Sequence, residues 1–314
     1  MLVLVTGCAG FIGSHVTEAL LARGDRVRGI DCFLDYYPRD VKERNLAAAR
    51  ENPNFEFVEA DLIQADVDEL VADVDGVIHL AAQAGVRASW GRDFAIYCDS
   101  NIQGTQRLLE ACKPRGTRLV YSSSSSIYGD APDFPTREDT LPRPISPYGV
   151  SKLAGEHLCR LYSLQQGVPT VSLRYFTVYG PRQRPDMAFH KFLRAQLTGG
   201  KVTLFDDGEQ TRDFTYVGDA VRANLLALEH GTPGLACNIG GGSRVTVNHV
   251  LDLIGEVSGR AVDVERLGRQ RGDVRHTHAA AELAAEELTW QPQTALADGL
   301  RAEYEWLEGE VARG

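Results

Sequence analysis

Short apolar runs alternate with helix-like segments through the first half of the chain. The runs are nearly continuous in apolar or β-prone residues, which is typical of strands buried on both faces of a parallel sheet. They lie at Leu2–Thr6, Arg26–Asp31, Phe55–Glu59, Gly76–Leu80, Arg118–Ser122 and Thr170–Tyr175. Segments with helical spacing, such as Phe11–Ala22 and Ile102–Cys112, fall between the runs. This alternation predicts an α/β fold built on a doubly wound parallel sheet.

The pattern changes after about Gly180, where prolines and glycines separate shorter elements. Helices are predicted there at Val217–Glu229, Val247–Ser258 and Leu296–Leu307. We therefore expect a larger domain over residues 1–180 and a smaller C-terminal α/β domain over residues 181–314, with some segments interleaved.

The composition is that of a folded, soluble protein and limits the possible partners. Apolar residues make up 43% of the 314 residues and charged residues 24%, which argues against a disordered chain. The formal net charge of -10 makes nucleic acid and anionic membranes unfavourable partners. No apolar run approaches the ~20 residues that a membrane span needs. The first residues lack the basic and apolar stretches of a signal peptide.

The six cysteines are scattered, with no CxxC pair and no histidine cluster at metal-ligand spacing. Several lie in apolar runs, where cysteine is a small core residue. We therefore expect no metal site and a location in a reducing compartment, the cytoplasm.

Glycines at spacing GxxGxxG directly follow the first predicted strand. Gly7, Gly10 and Gly13, with Phe11 and Ile12 between the last two, open the first predicted helix. Glycine allows a tight turn and a close approach of the backbone to a pyrophosphate, and the helix N-terminus offers N–H groups and a positive dipole end. The motif predicts a dinucleotide site of the Rossmann type, although such turns can also serve packing alone.

Two acidic residues after the next strands are candidates for the adenosine half of the dinucleotide. Asp31 ends the second strand, where a carboxylate can accept hydrogen bonds from ribose hydroxyls or simply cap the strand. The glycine loop favours the ribose role, and NAD is favoured over NADP because no arginine follows immediately to bind a 2′-phosphate. Asp61, after the third strand, could contact the adenine amine or be an ordinary solvated turn residue.

A tyrosine and a lysine at positions i and i+4 lie on one face of a predicted helix. Ser146 can cap that helix and Pro147 can be its first residue, which places Tyr148 and Lys152 side by side. An ammonium next to a phenol favours the phenolate and lowers its pKa from ~10. We expect Tyr148 to act as a general base and Lys152 to hold the nicotinamide ribose, the alternative being an ordinary surface pair.

A row of serines, Ser122–Ser126, continues the strand that precedes this helix. Hydroxyl groups at the carboxyl edge of a parallel strand face the ligand crevice. One of these hydroxyls could therefore share the proton transfer with Tyr148.

Together, the glycine loop, Asp31, the serine-rich strand end and the YxxxK pair resemble the extended short-chain dehydrogenase/reductase superfamily. The resemblance is strongest to its NAD-dependent epimerase/dehydratase family, which acts on nucleotide sugars. Further matching segments are His79–Gln83, Ser100–Thr105, Arg174–Phe176, Arg212–Asp219, Gly272–Asp273 and Leu288–Pro292. The resemblance therefore covers nearly the whole chain.

This resemblance implies roles for the matching residues. Ser124 would be the catalytic hydroxyl, Tyr148 the base and Lys152 the ligand of the NAD ribose. Relatives commonly form homodimers through two helices, which correspond here to regions near residues 91–113 and 148–166. The implied NAD-binding residues are Gly7, Gly10, Phe11, Ile12, Gly13, Asp31, Asp61, Leu62, Ala81, Ala82, Gln83, Asn101, Tyr148, Lys152 and Tyr175.

The resemblance also implies how a UDP group would be bound. Arg212 would bind the diphosphate with its guanidinium fork, and Asp273 would hold the uridine ribose. The family often has an arginine three residues before that aspartate, where this chain has Gln270. Arg269 and Arg271 stand on either side of Gln270, and of these two candidates we favour Arg271 as the second diphosphate ligand.

Several positions distinguish the branches of this family. The 4,6-dehydratases use an Asp-Glu pair where this chain has Ser125 and Ser126, and UDP-glucuronate decarboxylases usually have glutamate at the second of these positions. UDP-glucose 4-epimerases usually read Arg-Tyr-Phe-Asn, whereas Thr177 stands at the last of these positions here. Residues 175–188 and 83–87 closely resemble UDP-glucuronate 4-epimerases.

A UDP-glucuronate 4-epimerase must bind the C6 carboxylate of its sugar, and hydroxyl donors with a cation are suited to this. The 4-keto intermediate is a β-keto acid, so the pocket must keep the carboxylate near the carbonyl plane to prevent loss of CO₂. A UDP-glucose 4-epimerase, a decarboxylase and a non-catalytic NAD-binding protein remain alternatives. The expected sugar ligands are Arg87, Ser125, Ser126, Thr177 and Arg184.

Overall fold

The computed structural model describes residues 1–268 and 274–313 of the chain. The strands are β1 (Leu2–Thr6), β2 (Arg26–Asp31), β3 (Phe55–Glu59), β4 (Gly76–His79), β5 (Arg118–Ser124), β6 (Thr170–Tyr175), β7 (Thr177–Tyr179), β8 (Val202–Phe205), β9 (Thr211–Tyr216), β10 (Leu235–Ile239), β11 (Arg244–Thr246) and β12 (Val264–Leu267). The helices are α1 (Phe11–Ala22), α2 (Arg39–Arg50), α3 (Val67–Val71), α4 (Phe94–Tyr97), α5 (Gly104–Cys112), α6 (Pro147–Gln166), α7 (Ala188–Thr198), α8 (Val217–His230), α9 (Val247–Ser258), α10 (Glu282–Leu288) and α11 (Leu296–Arg313). None of the helices in these two ranges has the length and apolar character needed to cross a bilayer.

Seven strands within the described ranges form one sheet in the order β10-β6-β5-β4-β1-β2-β3. Neighbouring strands are parallel; Val5 of β1, for example, pairs with Gly29 of β2 and with Ile78 of β4. From β1 the chain adds β2 and β3 on one side of the sheet and then β4, β5 and β6 on the other side. The connections after β1 and after β4 therefore lead away from each other, and a crevice opens at the carboxyl ends of these two strands. This arrangement confirms the predicted doubly wound α/β fold.

The large sheet is buried on both faces because its side chains alternate between two apolar cores. Val3 and Val5 of β1 pack with residues of α1 and α8 on one face. Leu2 and Leu4 pack with residues of α3, α5 and α6 on the other face. This explains why β1 is apolar at each position from Leu2 to Val5 rather than at every second one.

The helix predicted over Ile102–Cys112 begins earlier and is not uniform. A π-helical turn, Cys98–Gln103, lies between α4 and α5. Asn101, inside this turn, makes side-chain hydrogen bonds to the backbone of Gln83 and to the hydroxyl of Ser151. These bonds come from outside the helix and stabilise the wider turn, which helical periodicity alone does not indicate.

The strand β10, which the sequence pattern did not predict, extends the large sheet beyond β6. Leu235 pairs with Val171 and Ile239 with Tyr175, and α8 packs against the same sheet. Residues beyond 180 therefore contribute to the larger layer, and the division into two domains at residue 180 stays a prediction.

A smaller group of elements follows the carboxyl end of β6. The strand β9 lies between β7 and β11, parallel to the first and antiparallel to the second, and β8 pairs with β12. Phe189 of α7, Phe214 of β9 and Leu300 of α11 belong to the apolar core of this group. The smaller group thus has its own core beside the large sheet.

Candidate active site

The glycine loop between β1 and α1 has a backbone that larger residues could not adopt without displacing their neighbours. Gly7 has a φ of +69°, and a Cβ there would come within 2.8 Å of a backbone nitrogen in the segment after β4. A Cβ at Gly13 would collide with the carbonyl oxygen of Gly7. Gly10 is the N-cap of α1, whose first residues are Phe11 and Ile12. The N–H groups of this first helical turn are therefore available at the crevice, as a pyrophosphate site requires.

Asp31 lies at the carboxyl end of β2, beside the glycine loop. Its carboxylate accepts the N–H of Ala9 at 3.2 Å and the N–H of Phe33 at 2.8 Å. Burial raises the pKa of Asp31, whereas the Lys42 ammonium, 4.0 Å away, lowers it. A carboxylate that borders the glycine loop in this way has the place expected of an adenosine-ribose ligand.

The residues predicted after β3 and β4 lie along the same edge of the sheet. Asp61 accepts a backbone N–H two residues later in the chain at 2.9 Å, so its carboxylate stabilises its own turn. Leu62 is buried in the core. Ala81 and Ala82 directly follow the end of β4, and the N–H of Ala81 donates to the Thr6 hydroxyl at 3.1 Å. This bond holds the segment after β4 against the strand that precedes the glycine loop.

A buried amide network connects this edge to helix α6. The Oδ1 atom of Asn101 accepts the N–H of Gln83 at 2.7 Å, and its Nδ2 atom donates to the Gln83 carbonyl at 3.0 Å. The same Nδ2 atom donates to the hydroxyl of Ser151 at 2.9 Å. Since Ser151 lies in α6 between Tyr148 and Lys152, the network positions the tyrosine–lysine helix against the segment after β4.

Helix α6 begins next to the serine-rich end of β5. Ser146 accepts the N–H of Gly149 at 3.1 Å and proline is the first helical residue, as predicted. A Cβ at Gly149 would lie 2.6 Å from the carbonyl oxygen of Ser126, so glycine lets the helix approach this segment closely. The approach brings Tyr148 into a side-chain hydrogen bond with Ser124.

The pKa of Tyr148 is influenced by a different charge from the one that the sequence suggested. Burial raises this pKa, while the hydrogen bond with Ser124 and the positive charge of Arg184 lower it. The i, i+4 spacing led us to expect that Lys152 would lower it. The Lys152 ammonium instead lies over the ring of Tyr121, 4.7 Å from the ring centroid. That expectation is corrected: Ser124 and Arg184 are the groups that favour the phenolate.

Lys152 is a buried cation with 2% of its surface exposed. Burial lowers its pKa to about 8, and the neighbouring Cys159 and Glu156 act in the opposite direction. Glu156, one turn further along α6, is itself paired with Arg174 at 2.7 Å. Lys152 is therefore mainly protonated at neutral pH, in the charge state that donates hydrogen bonds.

The remaining hydroxyl groups predicted to face the sugar lie after β5 and β6. Ser125 and Ser126 form a short 3₁₀ turn in which the Ser126 N–H donates to Ser124 Oγ at 3.1 Å. Tyr175 ends β6, is paired in register with Ser124, and donates its hydroxyl to a side chain of α8 at 2.9 Å. Thr177 begins β7. Since β5 and β6 are neighbours, these residues share one edge of the sheet.

Arg184 lies in the loop after β7 and comes close to the catalytic candidate Tyr148. Its Nε and Nη2 atoms donate to the two carboxylate oxygens of Asp186 at 2.9 and 3.0 Å. The guanidinium carbon lies 5.7 Å from the ring centroid of Tyr36. The charge of Arg184 and the hydroxyl of Tyr148 affect each other's pKa. Tyr97 packs edge-on against Tyr148, with ring centroids 6.3 Å apart.

A second group of arginines lies around Thr211 in β9. Arg212 donates to the backbone oxygens of Thr211 at 2.9 Å and of Arg275 at 3.2 Å. Arg244 donates to the Thr211 hydroxyl at 2.8 Å. Arg87, in a 3₁₀ turn after β4, lies over an aromatic ring at the end of β8, 4.8 Å from its centroid. Arg212, Arg244 and Arg275 therefore lie close together in the smaller part of the molecule, where Arg275 is paired with Asp206 and Asp207.

Sequence reasoning missed several residues that border these sites. They are Tyr36, Lys42, Tyr97, Asp186, Arg244 and Arg275. Most of them stand within about a dozen residues of a predicted site residue, but they belong to no recognised motif, so the sequence pattern gives them no role. Asp186 could have been found, because it stands two residues after Arg184 in the same loop. The predicted UDP ligands Arg271 and Asp273 lie outside the described residues.

The geometry combines a dinucleotide loop, a buried lysine and a tyrosine hydroxyl bonded to a serine, all along one edge of a parallel sheet. A phenol in this place can take the proton of a substrate hydroxyl while the carbon that bears it loses a hydride. These features define a nucleotide-dependent enzyme that oxidises a secondary alcohol.

Comparison with known proteins gives the family to which this enzyme belongs. The family model for the NAD dependent epimerase/dehydratase family matches residues 3–240. The chain therefore belongs to the NAD-dependent epimerase/dehydratase family. Membership confirms the resemblance drawn from the motifs and the expectation of NAD as cofactor.

Similar proteins match over nearly the full length of the chain. A Bacillus subtilis protein named uncharacterized UDP-glucose epimerase YtcB is 44% identical over 98% of both chains. The UDP-glucuronate 4-epimerase of Thermodesulfobacterium geofontis is 37% identical over 98% of this chain and 96% of its own. The crystal structure of UDP-glucuronic acid 4-epimerase from Bacillus cereus in complex with UDP-glucuronic acid and NAD is 43% identical, with a TM-score of 0.95, and the match covers 99% of this chain and 100% of that one.

Proposed function

We propose that this protein is an NAD-dependent UDP-sugar 4-epimerase that interconverts UDP-glucuronate and UDP-galacturonate through a 4-keto intermediate, without decarboxylation. The main observation is the positive charge of Arg184 beside Tyr148, in a site where Ser125 and Ser126 replace the carboxylates of dehydratases and decarboxylases. The relatives from T. geofontis and B. cereus support the same reaction.

Tyr148 starts the proposed reaction by taking the proton of the sugar 4-hydroxyl, while Ser124 is hydrogen-bonded to the tyrosine. When bound, NAD supplies the acceptor for the hydride of C4 and the donor that returns it. After the 4-keto ring has turned over, Tyr148 gives the proton back to the 4-oxygen of the inverted alcohol. The two transfers cancel, so the reaction involves no net oxidation.

The residues around β1 fit the proposed cofactor. The glycine loop leaves room for a pyrophosphate at the first turn of α1, and Asp31 would bind the adenosine ribose. Lys152 would bind the nicotinamide ribose. Further contacts along this edge are proposed for Asp61, Leu62, Ala81, Ala82, Gln83, Asn101 and Tyr175.

The C6 carboxylate would be held by Arg184 together with the hydroxyls of Ser125, Ser126 and Thr177. Loss of CO₂ from the 4-keto acid requires the C5–carboxylate bond to stand roughly perpendicular to the carbonyl plane. Donors that keep the carboxylate near this plane slow that loss. Because the ring turns over between the two hydride transfers, several small donors serve both orientations better than one rigid ligand.

The UDP group would lie against the arginine group at β9. Arg212 would bind the diphosphate, and Arg87 and Arg244 would add positive charge around it. Arg271 and Asp273 are proposed as the second diphosphate ligand and the ligand of the uridine ribose.

A UDP-glucose 4-epimerase is the second candidate. Asp186 already neutralises Arg184 through two hydrogen bonds, and a sugar with a neutral C6 group would leave this pair intact. The name of the B. subtilis relative points in the same direction. The relative rates with the two sugars distinguish the candidates.

We also propose a homodimer formed through α6 and the region around α4. Val150, Leu161 and Leu164 of α6 are spaced to share one helical face and are 46%, 52% and 65% exposed, and Ile96 of α4 is 41% exposed. A second copy of the same surface would cover these apolar side chains.

Two further proposals concern location and domains. All six cysteines are free thiols, which supports a cytoplasmic location. The smaller sheet begins with β7, which supports a domain boundary near residue 180.

The test is to incubate the purified protein with UDP-glucuronate, without added cofactor, and to follow the products by NMR. The proposal expects UDP-galacturonate, with neither CO₂ release nor accumulation of NADH. UDP-xylose or a 4-keto pentose would indicate a decarboxylase. Conversion of UDP-glucose in preference to UDP-glucuronate would favour the second candidate. Bound NAD without turnover of either sugar would indicate a non-catalytic protein.

A further inference from the structure

The loop after β7, residues 180–187, is a packed turn that contains Arg184; we call it the arginine loop. Two backbone hydrogen bonds form turns within this loop: the N–H of Gln183 donates to the Gly180 carbonyl and the N–H of Met187 donates to the Arg184 carbonyl, each at 3.0 Å. The side chain of Gln183, only 2% exposed, donates to the Val178 carbonyl at 3.2 Å and accepts the N–H of His190 at 2.9 Å. The conformation of the loop is therefore set by specific contacts.

Glu303 of α11 contacts the first residue of the arginine loop. Its side chain is fully buried, and Oε2 accepts the N–H of Gly180 at 2.8 Å. Among the described residues, Oε1 has no hydrogen-bond partner. Burial raises the pKa of Glu303 well above its usual range, so the neutral form is favoured. Burying a carboxyl group with a single backbone partner costs free energy, whereas an apolar side chain of similar size would need no hydrogen-bond partner. Packing alone therefore does not explain a glutamate at this position.

His15 of α1 contacts the second residue of the loop. Its Nε2 atom donates to the Pro181 carbonyl at 2.9 Å, which requires the tautomer with the proton on Nε2, and burial lowers the pKa of the ring. One turn further along α1, Glu18 pairs with Arg182 at 2.7 Å. The first turn of α1 forms the proposed pyrophosphate site, so the arginine loop and the cofactor site are joined to the same helix.

We infer that His15 and Glu303 are positioning residues that set the place of Arg184 relative to Tyr148, and thereby the preference for a charged C6 group. The inference rests on the proposed function, in which Arg184 binds the sugar carboxylate. Neither His15 nor Glu303 would touch the substrate or the reacting atoms. They hold Gly180 and Pro181, the two residues that follow β7. If these residues move by about 1 Å, Arg184 moves with them, and such a displacement is enough to weaken the proposed hydrogen bond from Arg184 to the sugar carboxylate.

The experiment uses matched substitutions at both contacts. His15→Phe keeps a ring beside Phe11 but removes the donor, and Glu303→Met keeps the volume but removes the acceptor. Glu303→Gln keeps an acceptor for the Gly180 N–H, and Glu305→Met changes an exposed glutamate of the same helix. The measurements on each purified holoenzyme are KM and kcat with UDP-glucuronate, the dissociation constant of UDP by calorimetry, and the fraction of UDP-xylose by NMR.

We expect His15→Phe and Glu303→Met each to raise KM for UDP-glucuronate about 5- to 10-fold, the effect of one lost hydrogen bond. The UDP-xylose fraction should rise, because the carboxylate is less well restrained. The affinity for UDP alone should stay unchanged, since UDP lacks the sugar that Arg184 would bind. Glu303→Gln and Glu305→Met should behave like the wild-type protein.

Unchanged KM and unchanged UDP-xylose in folded His15→Phe and Glu303→Met proteins would overturn the inference. An equal loss of affinity for UDP and UDP-glucuronate would also overturn it, because that result indicates general loosening of the fold. If the Glu303→Met protein does not fold, the KM and the UDP-xylose fraction of the His15→Phe protein test the inference alone. His15 is only half-buried, so this substitution is less disruptive to folding. Failure of the proposed function would show separately, as the absence of UDP-galacturonate with wild-type protein, and would overturn the inference as well.

Discussion

At the scale of a single residue, the proposed role of Arg184 links substrate binding with acid–base chemistry. Its guanidinium is bonded to Asp186 and lies near the ring of Tyr36, and its charge lowers the pKa of Tyr148. A carboxylate substrate would compete with Asp186 for the same guanidinium. Removing Arg184 should therefore change both the binding of the sugar and the ionisation of the general base.

Replacing Arg184 by glutamine should move the acid limb of the kcat profile to higher pH. The general base must be deprotonated, and loss of a nearby positive charge destabilises the phenolate, so the pKa of Tyr148 rises. We expect a displacement of up to about one pH unit, measured from initial rates with UDP-glucuronate. Arg39→Gln, which removes a surface pair with Glu59, is the control. An unmoved acid limb would show that Asp186 screens the arginine too well for it to act on Tyr148.

Motifs predicted which residue types meet at the site, but not every interaction between them. The glycine loop and Asp31 lie together as expected. The i, i+4 spacing correctly placed Tyr148 and Lys152 on one helix. Spacing does not fix where a long side chain ends, and the Lys152 ammonium lies over the ring of Tyr121, a residue of β5.

At the scale of the element, the start of α6 shows how local sequence and tertiary contact combine. The Ser146 cap and the proline that follows it specify where the helix begins. How closely the helix approaches β5 depends on Gly149, because a side chain there would meet the carbonyl oxygen of Ser126. The contact between Tyr148 and the serine-rich strand end therefore depends on one glycine.

Replacing Gly149 by alanine should lower kcat and also lower the stability of the protein. Alanine favours a helix by about 1 kcal/mol over glycine, which offsets part of the strain from a Cβ 2.6 Å from the Ser126 oxygen. To relieve this contact the helix must move away from β5, which separates Tyr148 from Ser124. We expect kcat to fall about 10- to 100-fold in steady-state assays.

The matched control is Gly309→Ala in α11, where an added Cβ would meet the flexible end of the Arg313 side chain at 3.3 Å. This variant should keep the wild-type kcat. A Gly149→Ala enzyme whose kcat lies within twofold of wild type would show that the reaction does not require the close approach of α6 to β5.

The π-helical turn at Cys98–Gln103 and the strand β10 are two elements that the sequence pattern did not predict. The turn is stabilised because Asn101 accepts the N–H of Gln83 and donates to the Gln83 carbonyl and the Ser151 hydroxyl, and both residues are distant from it in sequence. The segment Leu235–Ile239 is short and becomes a strand by pairing with β6. Both features depend on partners that local periodicity does not encode.

At the scale of the whole molecule, the exposed apolar face of α6 is the feature that bears on assembly. Leu161 and Leu164 are more than half exposed although they lie on a long, well-capped helix. Burial of such side chains favours association, at about 25 cal/mol for each Å² of apolar surface removed from water. We therefore place the proposed dimer contact on this helix.

Combined Leu161→Glu and Leu164→Glu substitutions should convert a wild-type dimer into a monomer of 34.4 kDa, as measured by sedimentation velocity. The charged side chains cannot be buried against a second copy without a large desolvation cost. Leu141→Glu, at a position 65% exposed and outside α6, should leave the dimer intact. Wild-type protein that sediments at the mass of one chain would refute the proposed dimer.

The sequence by itself determined the alternation of strands and helices, the glycine loop after β1 and the cap of α6. These features follow from short-range causes: burial of each strand on both faces, the backbone freedom of glycine, and hydrogen bonds between residues close in the chain. The tertiary structure alone decided that β10 joins the large sheet, that Arg184 acts on Tyr148, and that Glu303 meets Gly180. These contacts join residues far apart in the chain, and only the packing of the complete fold sets the distances between them.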